Sequence, residues 1–261
     1  MSAAATSRSQ LRLATPTPSG EKPTYRHLAQ IVGAAMRAAV DEVWDDAVAV
    51  PPSGGVLIVS NHVSYADVLA VGRYLIWSGR WPRYLGKAEL WRLPLIGWLA
   101  QRCRQIPVER GTDRAKDALI TARQALISGE CVAIYPEGGR TYDPDLWPQR
   151  ARTGAARLAL DTGVPVIPVV QWGSHRVMPG RRMTFPRLWP RRTIQVVSGA
   201  PVDLADLGER PRNTEVLQIA TARIMEAITV LVEELRGQPR PAEGVWEPQE
   251  GRRVPDRWAS S

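Results

Sequence analysis

Short apolar runs alternate with longer amphipathic stretches along the central part of the chain. The runs are rich in β-branched residues, which is typical of strands that are covered on both faces. They predict strands at residues 56–60, 83–86, 105–108, 131–135, 164–171 and 193–198. The amphipathic stretches predict helices at residues 67–77, 93–102, 113–128, 154–161 and 214–235. This alternation predicts an α/β fold with a central, mostly parallel or mixed sheet and helices on its faces.

The two ends of the chain differ in pattern from its centre. Residues 25–44 space their apolar positions at helical intervals, which predicts an N-terminal amphipathic helix. Residues 1–22 are rich in Ser, Thr, Ala and Pro and lack the apolar core of a secretory signal. Residues 237–261 are rich in Pro, Gly and Arg. We expect both segments to be disordered tails of a single domain at residues 23–236, and no run is long enough to predict a transmembrane helix.

The composition is strongly basic, with a formal net charge of +8 and an isoelectric point near 10.1. Arginine suits the planar, bidentate capture of phosphate and carboxylate groups. The charge therefore indicates an anionic partner: nucleic acid, anionic lipid, a phosphorylated small molecule or an acidic carrier protein. Cys103 and Cys131 are too few for a disulfide framework, so we expect them to be reduced and the protein to be cytosolic.

The first predicted strand leads directly into Asn61, His62 and, five residues after the histidine, Asp67. Open α/β folds place their ligands at this carboxyl edge of the sheet. A carboxylate that bonds one imidazole nitrogen orients the ring and lets the other nitrogen act as a general base. A helix capping box is the alternative, in which Ser64 and Asp67 serve backbone N–H groups. These residues alone leave both interpretations open.

Two more strands end in residues that suit an anion. After residues 131–135 come Glu137, Gly138, Gly139 and Arg140, where the glycines permit a nest of N–H groups and the arginine supplies a counter-charge. Taken alone, a glycine pair beside charged residues is more often a surface turn. The run at 105–108 leads to Arg110. Three strand ends with complementary chemistry predict an anion site beside a base.

Four blocks in this order resemble the glycerolipid acyltransferase family typified by 1-acylglycerol-3-phosphate acyltransferase. They are His-x4-Asp at 62–67, Ile-Pro-Val-x-Arg at 106–110, Pro-Glu-Gly-x-Arg at 136–140 and Val-Pro-Val-Ile-Pro at 164–168. The similarity covers about residues 55–172. Gly139 stands where the family often has Thr, so a hydroxyl donor is lost while the nest is kept. That departure leaves the acceptor's identity open.

The resemblance implies an enzyme that moves a fatty acyl group to a lysophospholipid, with 1-acylglycerol-3-phosphate the expected acceptor. Another lysophospholipid, glycerol 3-phosphate or a glycolipid is the alternative. His62 would be the base and Asp67 its charge partner. The positions that would bind the glycerol phosphate are Arg110, Glu137, Gly138, Gly139 and Arg140. The resemblance implies no cofactor or metal, with acyl-CoA or acyl-carrier protein as co-substrate. The apolar fourth block is expected in the core, and a place on the acyl-donor side is the alternative.

Tryptophans beside arginines recur at residues 80–83, 90–98 and 181–192. This pairing predicts peripheral docking on an anionic membrane, here its cytoplasmic face, although a core-facing helix is the alternative for 90–98. A metal hydrolase is a rival class, but His27 and His175 sit in no ligand-like cluster with His62. A nucleic-acid-binding module would explain the charge and leave the strand-end residues without purpose.

Overall fold

The computed structural model describes residues 23–45, 50–109, 115–180 and 185–255. Nine strands run along these residues: β1 (Val40–Asp45), β2 (Val56–Val59), β3 (Pro82–Lys87), β4 (Ile106–Val108), β5 (Cys131–Ile134), β6 (Val166–Trp172), β7 (Arg192–Ser198), β8 (Val245–Glu247) and β9 (Arg252–Val254). The α-helices are α1 (Pro23–Ala39), α2 (Asp67–Trp77), α3 (Pro94–Arg102), α4 (Ala115–Ile127), α5 (Gly154–Thr162), α6 (Ser174–Val177) and α7 (Thr214–Arg236). A 3-10 turn at Ala88–Arg92 joins β3 to α3.

Seven strands form one sheet in the order β1-β7-β6-β2-β5-β3-β4. The β6–β7 pair is antiparallel, and the other described neighbours in this sheet pair in parallel. Strand β2 lies at the centre, between β5 and β6, and its four residues are buried. The predicted α/β fold with a mostly parallel, helix-flanked sheet is confirmed.

Successive residues of β2 face opposite sides of the sheet, as strand geometry requires. Leu57 and Val59 pack in an apolar cluster with α4, α5 and α7, whereas Val56 and Ile58 pack in a second cluster with α1 and α2. Both faces are therefore covered, which explains why this strand is apolar throughout. Val166 and Ile167 of the fourth sequence block are also buried, so their expected place in the core is confirmed.

The predicted N-terminal helix is wrong over its last part, because residues 40–45 form β1 and pair with β7. Helix α1 ends at Ala39, and the side chain of Arg191 donates to the carbonyls of Arg37, Ala38 and Val40. A cation that binds the last carbonyls satisfies acceptors which a helix end leaves unpaired. The chain can then enter the sheet, with Trp44 buried at 5% exposure.

The predicted disorder of residues 237–261 is wrong for residues 237–255, which contain the β8–β9 hairpin. Arg253 of this hairpin binds Asp143, whose side chain is 1% exposed. A buried carboxylate needs such a counter-charge, and that requirement holds the hairpin on the domain. Residues 1–22 and 256–261, also expected to be disordered, lie outside the described residues. Across the described ranges, every helix is too short or too polar to span a membrane.

Candidate active site

The segments that follow β2 and β5 meet at the carboxyl edge of the sheet, because these strands are parallel neighbours. The Glu137 Oε1 atom accepts the His62 backbone N–H at 2.9 Å. The Thr141 backbone N–H donates to the His62 carbonyl at 2.8 Å. On the other side, the Asn61 side chain exchanges two hydrogen bonds with the main chain of Gln171 in β6. The backbone that carries His62 is thus held from both neighbouring strands.

The His62 and Asp67 side chains meet as the sequence predicts. The Nδ1 atom of His62 lies 2.9 Å from the Oδ2 atom of Asp67, whose side chain is fully buried. The same oxygen accepts the backbone N–H groups of Val63 and Ser64 at 2.7 and 2.9 Å, and Ser174 donates its hydroxyl to Oδ1. An oxygen that accepts from Nδ1 fixes the tautomer in which Nε2 is the proton acceptor.

Both interpretations of Asp67 apply to one carboxylate. Its bond to the Ser64 N–H is the backbone half of a capping box, while its bond to His62 orients the imidazole. Helix α2 begins at Asp67, so the negative charge also lies at the favourable end of the helix dipole. The Ser64 hydroxyl accepts the Ala66 backbone N–H at 3.1 Å and donates to the Met178 carbonyl at 2.9 Å.

Glu137 is among the residues that line a cavity at this edge, yet it is almost fully buried and both of its carboxyl oxygens bind main chain. It is 5% exposed, and its Oε2 atom accepts the Gln149 backbone N–H at 3.1 Å while Oε1 holds His62. Burial raises the pKa of Glu137 to about 8, against the lowering effect of the two N–H donors. The carboxyl group of Glu137 therefore holds main chain in place, a role that the sequence did not indicate.

We expect Glu137 to make the stability of the protein depend on pH. The pKa of Glu137 rises from 4.5 to about 8 on folding, so its stabilising contribution is complete below about pH 4.5 and is lost as the pH rises through 8. Between pH 5 and 8 the free energy of unfolding of the wild-type protein should fall by about 1 kcal/mol or more beyond any change that the Glu137→Gln variant shows over the same pH range. Urea unfolding of both proteins at several pH values measures this, and parallel curves would contradict it.

The imidazole also stacks on aromatic rings. The Tyr135 ring lies 4.2 Å from the His62 ring, with 23° between their planes, and Tyr84 stacks on Tyr135 at 6.1 Å. Burial raises the pKa of both tyrosines well above 10, so they stay neutral. The stack and Asp67 together restrict the orientation of His62. The sequence placed Tyr135 only as the end of a strand.

The predicted glycine turn places the side chain of Arg140 at the edge of a cavity. Gly138 has φ +74°, and a Cβ there would come within 2.9 Å of the Arg152 Nε atom. Arg140 donates to the Gly180 carbonyl at 2.7 Å and lies 3.9 Å above the Tyr65 ring. Arg152 is an exposed second cation that sequence reasoning missed, because no strand ends near it.

Not every predicted site residue falls within the structure. Arg110 lies outside the described residues, so its role stays a prediction. Gly139 lines the same cavity as Gly138 and Arg140. Of the two adjacent glycines, Gly138 is the one whose conformation requires glycine.

One cavity of about 850 Å³ joins these polar groups to an apolar region. Its polar end is lined by His62, Gly138, Arg140 and Arg152. Its apolar region lies between α1, α2 and α3 and is lined by residues that include Leu28, Val32, Leu69, Ile76, Trp91 and Leu99. The cavity thus suits a molecule with an anionic head and a hydrocarbon chain.

Helix α3 does not pack into the core, so the core-facing interpretation of residues 90–98 is wrong. Gly97 is its one buried residue, while Leu95 and Trp98 are 69% and 47% exposed. Of the other two Trp–Arg segments, residues 80–83 are built into the fold, because Trp81 is 7% exposed and Arg80 donates to the Pro51 and Gly54 carbonyls. In the last segment, Trp189 is 86% exposed and Arg191 is used to bind α1. Residues 181–184 of that segment lie outside the described ranges.

The metal-hydrolase alternative finds no ligand cluster in the part of the chain that the structure describes. No group of three His, Cys, Asp or Glu side chains there is arranged so that it could hold a metal ion. The His175 ring packs 4.4 Å from Trp172, and burial lowers its pKa to about 4. The exposed His27 bonds the Pro23 carbonyl of its own helix.

Comparison with known proteins finds acyltransferases that are similar to this chain. A family model described as Acyltransferase matches residues 45–172. A chloroplastic 1-acyl-sn-glycerol-3-phosphate acyltransferase of Brassica napus is 32% identical over 122 residues, which are 46% of this chain and 34% of that protein. A lyso-ornithine lipid O-acyltransferase of Pseudomonas aeruginosa is 35% identical over 120 residues, 45% of this chain and 43% of that one. The match to this chain thus spans a third to less than half of the length of these relatives.

A solved structure shares the fold. The crystal structure of the 1-acyl-sn-glycerophosphate acyltransferase PlsC from Thermotoga maritima superposes with a TM-score of 0.63. The match covers 83% of this chain and 81% of that one, at 24% identity. At this identity the likeness concerns the arrangement of the sheet and its helices.

Proposed function

We propose that this chain, whose residues 45–172 match the acyltransferase family, transfers a fatty acyl group from a thioester to the hydroxyl of a lysophospholipid. The acceptor we propose is 1-acylglycerol-3-phosphate, and the product is phosphatidic acid. The observation that carries the proposal is one cavity, which joins His62, Arg140 and Arg152 to an apolar region. A lysophospholipid has that combination of anionic head and hydrocarbon chain.

In the proposed mechanism His62 acts as a general base. Asp67 holds the Nδ1 atom, and Nε2 takes the proton of the acceptor hydroxyl. The hydroxyl oxygen forms a bond to the thioester carbonyl carbon, and the resulting tetrahedral intermediate expels the thiolate. The imidazolium then returns its proton to the sulfur, which leaves the ester and a free thiol. No acyl-enzyme is formed.

The phosphate is proposed to bind at the glycine turn. Arg140 and Arg152 bring two guanidinium groups to the lining that Gly138 shares, and bidentate contacts with phosphate are the strongest that arginine makes. Arg150 lies nearby, but its charge is paired with Glu247 at 2.6 Å. Because both oxygens of Glu137 bind main chain, we assign this residue to positioning His62 and not to the phosphate.

The lipid chains are proposed to enter from a membrane surface. The apolar region of the cavity is lined in part by α3, whose Leu95 and Trp98 are exposed beside it. Exposed leucine and tryptophan suit the interface between head groups and acyl chains, and the net charge of +8 favours anionic lipid. We propose peripheral docking at the cytoplasmic face of the cell membrane, with α3 against the lipid.

Replacing Leu95 by Asp should weaken binding to vesicles of phosphatidylglycerol and phosphatidylcholine by about tenfold, because an inserted apolar side chain is exchanged for a charge. Liposome flotation measures the bound fraction. Ile120→Asp is the matched control, since Ile120 is 55% exposed on α4 and lies outside the cavity lining. Equal losses in both variants, or no loss with Leu95→Asp, would rule out docking through α3.

The proposed reaction is tested by supplying the purified chain with radiolabelled acyl-CoA or acyl-carrier protein and a panel of lysolipids. We expect labelled phosphatidic acid from 1-acylglycerol-3-phosphate. The donor that supports the faster reaction identifies the physiological thioester class. Labelled ester with a different lysolipid would replace the proposed acceptor, and no ester with any of them would overturn the acyl-transfer proposal.

A further inference from the structure

The hairpin formed by β8 and β9 is fastened to the segment between β5 and α5. Arg253 donates to both oxygens of Asp143, with Nε–Oδ2 3.0 Å and Nη2–Oδ1 2.8 Å, and its Nη2 also lies 2.6 Å from Asp145. The Arg150 backbone N–H donates to the Trp246 carbonyl at 2.9 Å. Since the Asp143 carboxylate is buried, Arg253 is its essential counter-charge and the hairpin has one position on the domain.

The turn of this hairpin borders the polar end of the cavity. Glu247, Pro248 and Gln249 are among the lining residues, on the side where Arg150 binds Glu247. The turn is closed on itself, because the backbone N–H groups of residues 250 and 251 both donate to the Glu247 carbonyl, at 3.1 and 2.9 Å. It therefore forms a fixed wall next to the cations of the polar end.

On the basis of the proposed acyl transfer, we propose that this wall selects the acceptor by the size of its head group. A phosphate monoester bound at Arg140 and Arg152 ends at the phosphate and fits beside the turn. A phosphodiester carries a further alcohol on that phosphate, and this group must share the space with Pro248 and Gln249. The wall thus favours 1-acylglycerol-3-phosphate over lysophospholipids with a substituted phosphate.

Releasing the hairpin tests the inference. Arg253→Ala removes the counter-charge of Asp143, so the ratio of kcat/KM for 1-acylglycerol-3-phosphate to kcat/KM for lysophosphatidylglycerol should fall about tenfold or more. Arg252→Ala is the matched control: it removes the same charge from the same hairpin, but Arg252 is 69% exposed and pairs only locally with Glu250. Its ratio should stay within about twofold of the wild-type value.

A second variant covers the case in which Arg253→Ala does not fold. Gln249→Ala trims the wall and leaves the contacts of Arg253 intact, and it should shift the ratio in the same direction by a smaller factor. Wild-type protein that uses both acceptors equally, or variants that acylate 1-acylglycerol-3-phosphate with an unchanged ratio, would overturn the inference alone. Wild-type protein that acylates neither acceptor would instead overturn the proposed function.

Discussion

Replacing His62 by Ala is expected to lower kcat/KM for acyl transfer by about 100-fold or more, because the acceptor hydroxyl loses its general base. The fold should persist, since the contacts that hold this segment use the backbone N–H and carbonyl of residue 62 rather than its ring. The measurement is the steady-state rate of ester formation from a labelled thioester, with circular dichroism melts to compare the folded states.

His27→Ala is the control for this prediction. It removes an imidazole of the same kind from an exposed position on α1, where Nδ1 bonds the Pro23 carbonyl. We expect its activity to stay within about twofold of wild type, as for surface substitutions away from a site. A His62→Ala protein that retains activity within a few-fold of wild type would show that the base is another group.

The Asp67→Asn variant is expected to lose about 100-fold in kcat, even though the side chain keeps its shape. The Oδ2 atom accepts from His62 Nδ1 and from two backbone N–H groups, so an amide nitrogen at that position would meet donors on every side. An amide oxygen there would leave the imidazole without a negative partner. In both cases the imidazolium formed during the reaction is less stable.

A matched variant separates this positioning role from a merely structural one. Ser174→Ala removes a single hydrogen bond to Asp67 and no charge, so it should lower kcat much less than Asp67→Asn does. Circular dichroism melts compare the folded states of the two variants. A folded Asp67→Asn protein with kcat within a few-fold of wild type would contradict the assigned role.

Features set by neighbouring residues could be predicted from the sequence. The run at β2 is apolar throughout, and the strand is buried on both faces. The bounds predicted for α2 agree with the structure. The contact of His62 with Asp67 joins two residues that are five positions apart at the start of this helix. In each case the deciding interactions lie within a few residues, where periodicity and spacing report them.

Features set by distant partners could not be predicted. Residues 40–45 leave the helix because Arg191, about 150 positions later, binds the end of α1. The β8–β9 hairpin is composed like a linker, yet Arg253 supplies the counter-charge of a carboxylate 110 positions earlier. Composition does not indicate contacts between residues that are so far apart along the chain. Without such a contact, a segment of the same composition is disordered.

The roles within the site divide in the same way. The sequence identified Glu137 as part of a functional block. Its contact with the His62 backbone N–H depends on the parallel pairing of β2 with β5, which brings the two segments together. Arg152 follows no strand and fits no block, so only the three-dimensional placement near Gly138 brings it to the cavity. The residue types therefore indicated a base and an anion site. The tertiary contacts distinguish His62, which is proposed to react, from Asp67 and Glu137, which position it.

A single-turnover experiment tests the proposed direct transfer most closely. Protein in excess is mixed with thioester labelled in its acyl group, with and without 1-acylglycerol-3-phosphate, quenched on the timescale of one turnover, and separated into protein and lipid. We predict that the label passes to phosphatidic acid with no labelled protein, and that without acceptor it stays in the thioester. Label bound covalently to the protein would contradict a direct, base-assisted transfer at His62.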